Sequence, residues 1–230
     1  MKHLIAVAVL LLAVAPLHPA LGGPLSGKVI CVDPGHPSET SSGTSGKKIT
    51  ELRANWLVAL KLKAVLQSMG ATVVLTKARE TQVVTNRRRA ETANAARANL
   101  MIRLHCDCAC ASGLAVYYPD RRGHRYGRSG PSPLVISRSR AAGMAFYASI
   151  TLALKGKVRP RGLHGDSATL IGSKQGALTA SVFSKVPVLT IEMVTLTQRA
   201  DEDFIAGPTG QLTMAKAIAT ALIAAAKALK

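Results

Sequence analysis

His36, Glu51, His105 and Glu192 are the residues of this chain whose types could do chemistry together. Two imidazoles and one carboxylate are a known ligand set for a catalytic Zn2+ ion, with a fourth position left for water. Such an ion lowers the pKa of its water to about 7 and can polarise a carbonyl. A second carboxylate within hydrogen-bonding reach takes the water's proton and later passes it to a leaving nitrogen, a part that suits Glu192. Taken singly, each residue is ordinary. A histidine at a strand end is commonly a satisfied polar group, a glutamate at a helix start is a favourable charge, and Glu192 alone could be half of an ion pair. The chemistry therefore depends on the elements that bring the four together.

From residue 28 onward, short apolar runs take turns with amphipathic helices. Lys28–Asp33, Ala71–Thr76, Leu100–His105 and Gly113–Tyr118 read as strands, with further short ones expected at Ala168–Ile171 and Val186–Glu192. Glu51–Met69 has helical apolar spacing with Thr50 as N-cap and Gly70 as its stop. Asn86–Ala98, Arg140–Leu154 and a last helix opened by Pro208 complete the pattern. Alternating β and α predicts an α/β sandwich on a largely parallel sheet. In such a fold a helix starts at the edge where its strand finishes, so Asp33-Pro34-Gly35-His36 and Glu51 return to one place. His105 and Glu192, each read as ending a strand, finish at that same carboxyl edge, where open α/β sheets keep their ligands.

The 230 residues suit one domain with an ample core, and 48% hydrophobic content excludes disorder as the main state. Thirty Lys+Arg against twelve Asp+Glu give a formal charge of +18, which favours polyanions such as an acidic wall polymer or anionic lipid. Residues 1–23 read as an export signal: Lys2 and His3, an apolar run from Leu4 to Leu17, then small residues before a cleavage point near Gly22 or Gly23. Residues 24–230 are then a single mature domain. Cys31, Cys106, Cys108 and Cys110 are an even set in an exported chain. Three states stay open for them: at least one disulfide, led by Cys31 with one of the three others; free thiols; or a thiolate metal site, since i, i+2 spacing in an extended segment puts the three clustered thiols on one side.

Four separated blocks resemble the zinc-dependent N-acetylmuramoyl-L-alanine amidases, which cleave the amide between muramic acid and the stem peptide of peptidoglycan. KVICVDPGH is similar to the family's opening strand, ITELRANWLVALKLKAVLQSMGATVVLTK to its helix and second strand, NRRRAETANAARANLMIRLHCD to the segment before the second histidine, and VPVLTIEMVTLTQRADEDF to the block of the catalytic glutamate. The resemblance implies a phosphorylase/hydrolase-like sandwich, a mostly parallel central sheet with helices on both faces. It also implies Zn2+ on His36, Glu51 and His105, Glu192 as catalytic acid–base, and peptidoglycan as substrate. The chain departs from the pattern in the loop PSETSSGTSG after His36, in Asp107 two residues after His105, and in Gln198.

Other residues receive lesser parts. Asp33, with Asp107 as rival, is a candidate to orient a ligand imidazole. Arg89 is expected to hold the helix near the site, and His124 and His164 to lie in exposed loops. Residues 119–140 form a basic loop suited to an anionic wall or lipid surface, and residues 140–154 could lean over the cleft. Nucleic acid is disfavoured, because the chain is read as exported and lacks aromatic platforms. Two other functions compete: a non-catalytic wall-binding protein that keeps the fold, and a zinc peptidase or deacylase acting on a different amide.

Overall fold

Thr50, Thr85 and Ser132 each turn extended chain into helix. Their side-chain oxygens accept from the N–H groups of Arg53, Arg88 and Val135, satisfying donors that a helix start leaves free. The helices so opened are α1 (Glu51–Ser68), α2 (Asn86–Ala95) and α3 (Pro133–Ala153). Gly70, at φ 88°, closes α1: its N–H donates to the Gln67 carbonyl and that of Ala71 to Leu66, both at 3.0 Å. This paired closure favours glycine because its φ lies in the left-handed region.

The structure is a computed structural model that describes residues 22–229, so all but the end of the expected export signal lies outside the described residues. Six strands form the main sheet: β1 (Val29–Pro34), β2 (Thr72–Leu75), β3 (Leu100–Asp107), β4 (Leu114–Tyr118), β7 (Pro160–Gly165) and β8 (Val188–Thr195), in the order β2-β1-β3-β8-β4-β7. The first four in that order run parallel, whereas β4 is antiparallel to β8 and carries β7 parallel to itself. A separate hairpin joins β5 (Gly123–Arg125) and β6 (Arg128–Gly130). Short helices α4 (Leu170–Gln175) and α5 (Thr179–Phe183) precede β8, and α6 (Arg199–Ala206) and α7 (Pro208–Ala228) follow it.

Side chains alternate across a sheet, and here the two faces differ in kind. Ile30 and Val32, Ile102 and Leu104, and Leu189 and Ile191 point into the main core with α1, α3 and α7 residues such as Leu62, Phe146 and Ile218. Each such side chain, fully buried, contributes about 1.5–3 kcal/mol. On the opposite face, Cys31, Met101 and Val188 pack against Ala93 of α2, while Ala90 joins Ala180 and Phe183 of α5. Further along that second face the same alternation presents Asp33, Arg103, His105, Thr190 and Glu192. Helices thus lie on both sides, with the three longest on one.

Several expected boundaries move. Ala168–Ile171 is not a strand: Thr169 Oγ1 accepts from Gly172 N–H at 2.9 Å and opens α4. The strand of that region is β7, whose Pro160 and Gly162 disguise it in sequence but suit an edge position. The supposed loop 119–140 contains the β5–β6 hairpin and the first two turns of α3, which starts at Pro133 rather than Arg140. Residues 140–154 do not lean over the cleft; α3 packs on α7 and on the core face of β4, β7 and β8.

Candidate active site and metal centre

β1 delivers His36. Gly35 keeps the chain against the sheet through an N–H bond to the Leu104 carbonyl at 2.9 Å, and a Cβ there would sit 2.5 Å from Cε1 of the His105 ring. Only glycine permits that approach. His36 itself adopts φ 58°, an uncommon left-handed conformation for a side-chain-bearing residue. The conformation is held from outside: Lys77 Nζ donates to the His36 carbonyl, and Arg89 Nη2 donates to that of Pro37 at 2.8 Å.

α1 delivers Glu51 as its first residue, where the helix dipole favours a carboxylate. Its Oε1 lies 3.2 Å from His36 Nε2 and 3.0 Å from His105 Nδ1, and it accepts from Cys106 N–H at 3.2 Å. Oε2 accepts from Thr44 N–H at 2.9 Å. Burial opposes its ionisation, but bonds from His105 and His36 outweigh that and hold Glu51 well below the usual carboxylate range. The two rings meet edge to face with centroids 5.0 Å apart.

One atom from each of the three lies within 4.8 Å of the others. Tetrahedral ligands about 2.0 Å from a zinc ion are about 3.3 Å apart, close to the spacings around Oε1. His36 Nδ1 lies 3.2 Å from the Ser41 carbonyl, a bond that fixes the ring; Nε2, which bonds Glu51 here, would exchange that bond's proton for a metal ion when one is held. The donor set and its spacing fit a divalent ion.

Glu192 reaches the centre through the sheet. It is paired in the β3–β8 ladder directly with His105 and sits mid-strand, since β8 continues to Thr195; β3 likewise runs on to Asp107. Neither residue ends its strand as the sequence suggested. They occupy the open face, not only the edge. Beyond the pair the ladder is bulged, with three residues of β8 set against two of β3. Burial, then the charges of Glu51 and Asp107, push Glu192 well above the ordinary glutamate value, while Arg103 and Arg161 pull it down. Its Oε2 is buried with no protein partner, as is Nε2 of His105.

Asp33 orients no imidazole. It is fully buried and accepts from Arg89 Nη1 at 2.6 Å, Arg103 Nε at 2.9 Å and Thr76 Oγ1. Burial works against its charge, yet the two guanidinium groups hold it well below the usual aspartate range. Arg89 also donates to the Pro34 and Val84 carbonyls, the structural part expected of it. Asp107, the rival, instead accepts from Arg161 Nη1 at 2.8 Å. His164 is half-buried on β7 beside Tyr117, not in an exposed loop; His124 is exposed on β5 and faces Ser129 Oγ.

All four thiols are unpaired, so the favoured disulfide does not form. Cys31 and Cys106 are buried on opposite faces of the sheet, and Cys108 and Cys110 lie beyond β3 in an exposed loop. With Cys106 buried and Cys108 and Cys110 exposed, the three thiols do not gather into one cluster, and among the described residues they form no metal site. Burial pushes both inner thiols up, Cys31 helped by Asp33 and Cys106 by Glu51 and Glu192. Gln198 holds the exposed loop by donating to the Ala109 and Cys110 carbonyls.

A groove of about 550 Å3 opens beside the centre, lined among others by Asn86, Arg103, Tyr117, Arg125, Lys174 and Glu192. Of these, the sequence gives Glu192 a chemical role and Arg125 only a place in the basic loop 119–140. Arg103 was detectable: an arginine inside the apolar run LMIRLH marks a strand face that cannot be core.

The geometry can be set beside known proteins. A search of curated proteins by sequence finds no significant match. Among solved structures, the chain is similar to the N-acetylmuramoyl-L-alanine amidase AmiC2 of Nostoc punctiforme, at 22% identity and TM-score 0.67 over 86% of this chain and 96% of that one. It is similar to the amidase Ami1 of Mycobacterium smegmatis, at 16% identity and TM-score 0.73 over 88% and 98%. The catalytic domain of CwlV from Bacillus (Paenibacillus) polymyxa gives 22% identity and TM-score 0.66 over 85% and 96%. At these identities the likeness speaks for the fold. The sequence model of one family, however, matches residues 30–224, nearly the whole described chain and all four residues of the site, and on that match this protein belongs to the N-acetylmuramoyl-L-alanine amidase family.

Proposed function

We propose that the chain hydrolyses the amide between N-acetylmuramic acid and L-alanine in peptidoglycan, with Zn2+ held by His36, Glu51 and His105 and with Glu192 as general base and then acid. The observation that carries this reading is the convergence of the three ligand atoms within 4.8 Å, with Glu192 paired to His105 in the adjacent strand. When bound, the ion supplies a Lewis acid for the scissile carbonyl and acidifies the attacking water. Glu192 takes that water's proton and hands it to the departing alanine nitrogen, so no free amide anion has to leave. Burial first and then the Glu51 charge raise the pKa of Glu192; a cation held by His36, Glu51 and His105 would offset that second cause and favour the ionised base. The Asp33–Arg89–Arg103 cluster acts behind the site: it fixes the turn that carries His36.

Peptidoglycan lies outside the cytoplasm, and export through residues 1–23 fits that substrate. Among the described residues no helix is long and apolar enough to cross a membrane.

The test is a digest of purified peptidoglycan read by mass spectrometry. Stem peptides with a free alanine amine should appear, disappear with chelator and return with Zn2+. Glu192→Ala should keep the metal and lose turnover about a hundredfold to ten-thousandfold. Wall binding with no scission would favour a non-catalytic binder, scission elsewhere a different amidohydrolase, and full activity in Glu192→Ala would remove Glu192 from the mechanism.

A further inference from the structure

The groove beside the metal centre carries an unbalanced charge. Four cations line it, Arg89, Arg103, Arg125 and Lys174, against one lining carboxylate, Glu192. Arg89 and Arg103 share a single counter-ion, Asp33, behind the groove. Arg125 and Lys174 pair with no carboxylate among the described residues.

These two cations come from different elements that pack as one wall. α4 ends at Gly176, at φ 95°, so close to the hairpin that a Cβ there would lie 2.4 Å from the Arg122 carbonyl oxygen. Lys174 stands two residues before this contact and Arg125 three after Arg122, in β5. The Arg125 guanidinium rests 4.4 Å from the Tyr126 ring centroid and donates from Nη2 to the Tyr126 hydroxyl at 3.3 Å. Its Nε is buried and has no acceptor. A buried donor on a held guanidinium is costly unless an acceptor arrives, and a carboxylate is the acceptor that fits its fork.

We infer that Arg125 and Lys174 form a carboxylate-binding subsite that selects anionic stem peptides, an inference that rests on the peptidoglycan reading of the same groove. In a stem that begins L-alanine-γ-D-glutamate, the first free carboxylate is the α-carboxylate of glutamate, about 7 Å along the chain from the scissile nitrogen. A carboxylate on the third residue offers the same chemistry further out.

Two pairs of synthetic substrates separate the sources. The γ-methylamides of N-acetylmuramoyl-L-alanyl-D-glutamate and of its isoglutamine counterpart, which differ only in the α-carboxylate, test the second residue. Isoglutamine tripeptides ending in diaminopimelate or in lysine test the third. The Zn2+-loaded wild type should prefer the acid of one pair by about tenfold in kcat/KM, carried mainly by KM. In Arg125→Gln/Lys174→Gln that ratio should collapse towards one. Calorimetric binding of the same compounds to Glu192→Gln gives a readout that needs no turnover. Equal affinity within both pairs, or a preference that survives the double substitution, overturns the subsite. Failure to cleave any substrate counts against the amidase reading alone, because the binding preference still decides the inference.

Discussion

Asp166 stands in a 3-10 turn between β7 and α4, fully buried, with Oδ2 accepting from Leu178 N–H at 3.1 Å and Oδ1 without a partner. Burial lifts its pKa to about 6, against a partial offset from Ser181, Leu178 and Arg103. The sign of its contribution follows. Below about pH 4 both folded and unfolded chains hold the proton and the group is neutral to stability. Between about pH 4 and 6 only the unfolded chain ionises, so the folded state loses up to about 3 kcal/mol, and the loss levels off above 6. Asp166→Asn should lack this slope and gain on the wild type by that amount between pH 4 and 7 in urea unfolding. A constant difference over the range would show that Asp166 titrates normally. Asp33 has the opposite sign: its depressed pKa adds stability above about pH 4, lost as acid protonates it.

At the scale of elements, one aspartate of α6 joins three pieces of backbone. Asp201 Oδ2 accepts from Gly113 N–H at 2.6 Å and Thr195 N–H at 2.9 Å, and Oδ1 accepts from Ser112 Oγ at 2.7 Å. It ties the start of β4 to the end of β8. Asp201→Ala leaves two buried donors unmatched and should cost about 2–5 kcal/mol, measured by denaturant midpoint at unchanged slope. A loss under about 0.5 kcal/mol would mean that water replaces the carboxylate. The same junction marks where the sequence stopped being informative. Strands β1 and β3 and helices α1 and α7 were legible because apolar periodicity and caps coincide there. β7 was not, because Pro160 and Gly162 give an edge strand no apolar run. Nor was the reversal of β4, since strand direction is set by pairing partners far away in sequence. Of the candidate site, His36, Glu51, His105 and Glu192 are legible in the sequence with the help of the family resemblance. The groove's Arg125 lies in a segment that reads as a basic surface loop, and Lys174 in a stretch whose sequence marks no element.

For the whole molecule the formal charge is +18, and Arg121, Arg122, Arg128 and Arg140 stand exposed within the basic segment 119–140. Exposed charges act over about 10 Å at 0.1 M salt and about 3 Å at 1 M. Sedimentation with purified wall polymer should therefore weaken steeply between these salt concentrations if the surface tethers the enzyme. Retention that ignores salt would assign wall binding to the groove. The two-faced sheet has a further consequence. Hydrocarbon and chemistry are separated only by the parity of residue number along β3 and β8: Arg103, His105, Thr190 and Glu192 on one side, Leu104, Leu189 and Ile191 on the other. A single residue inserted near the start of β8 would therefore exchange the β8 members of the two lists and leave those of β3 in place. Ile191 would be turned to solvent and the acid into oil, with nothing in the composition to betray the error.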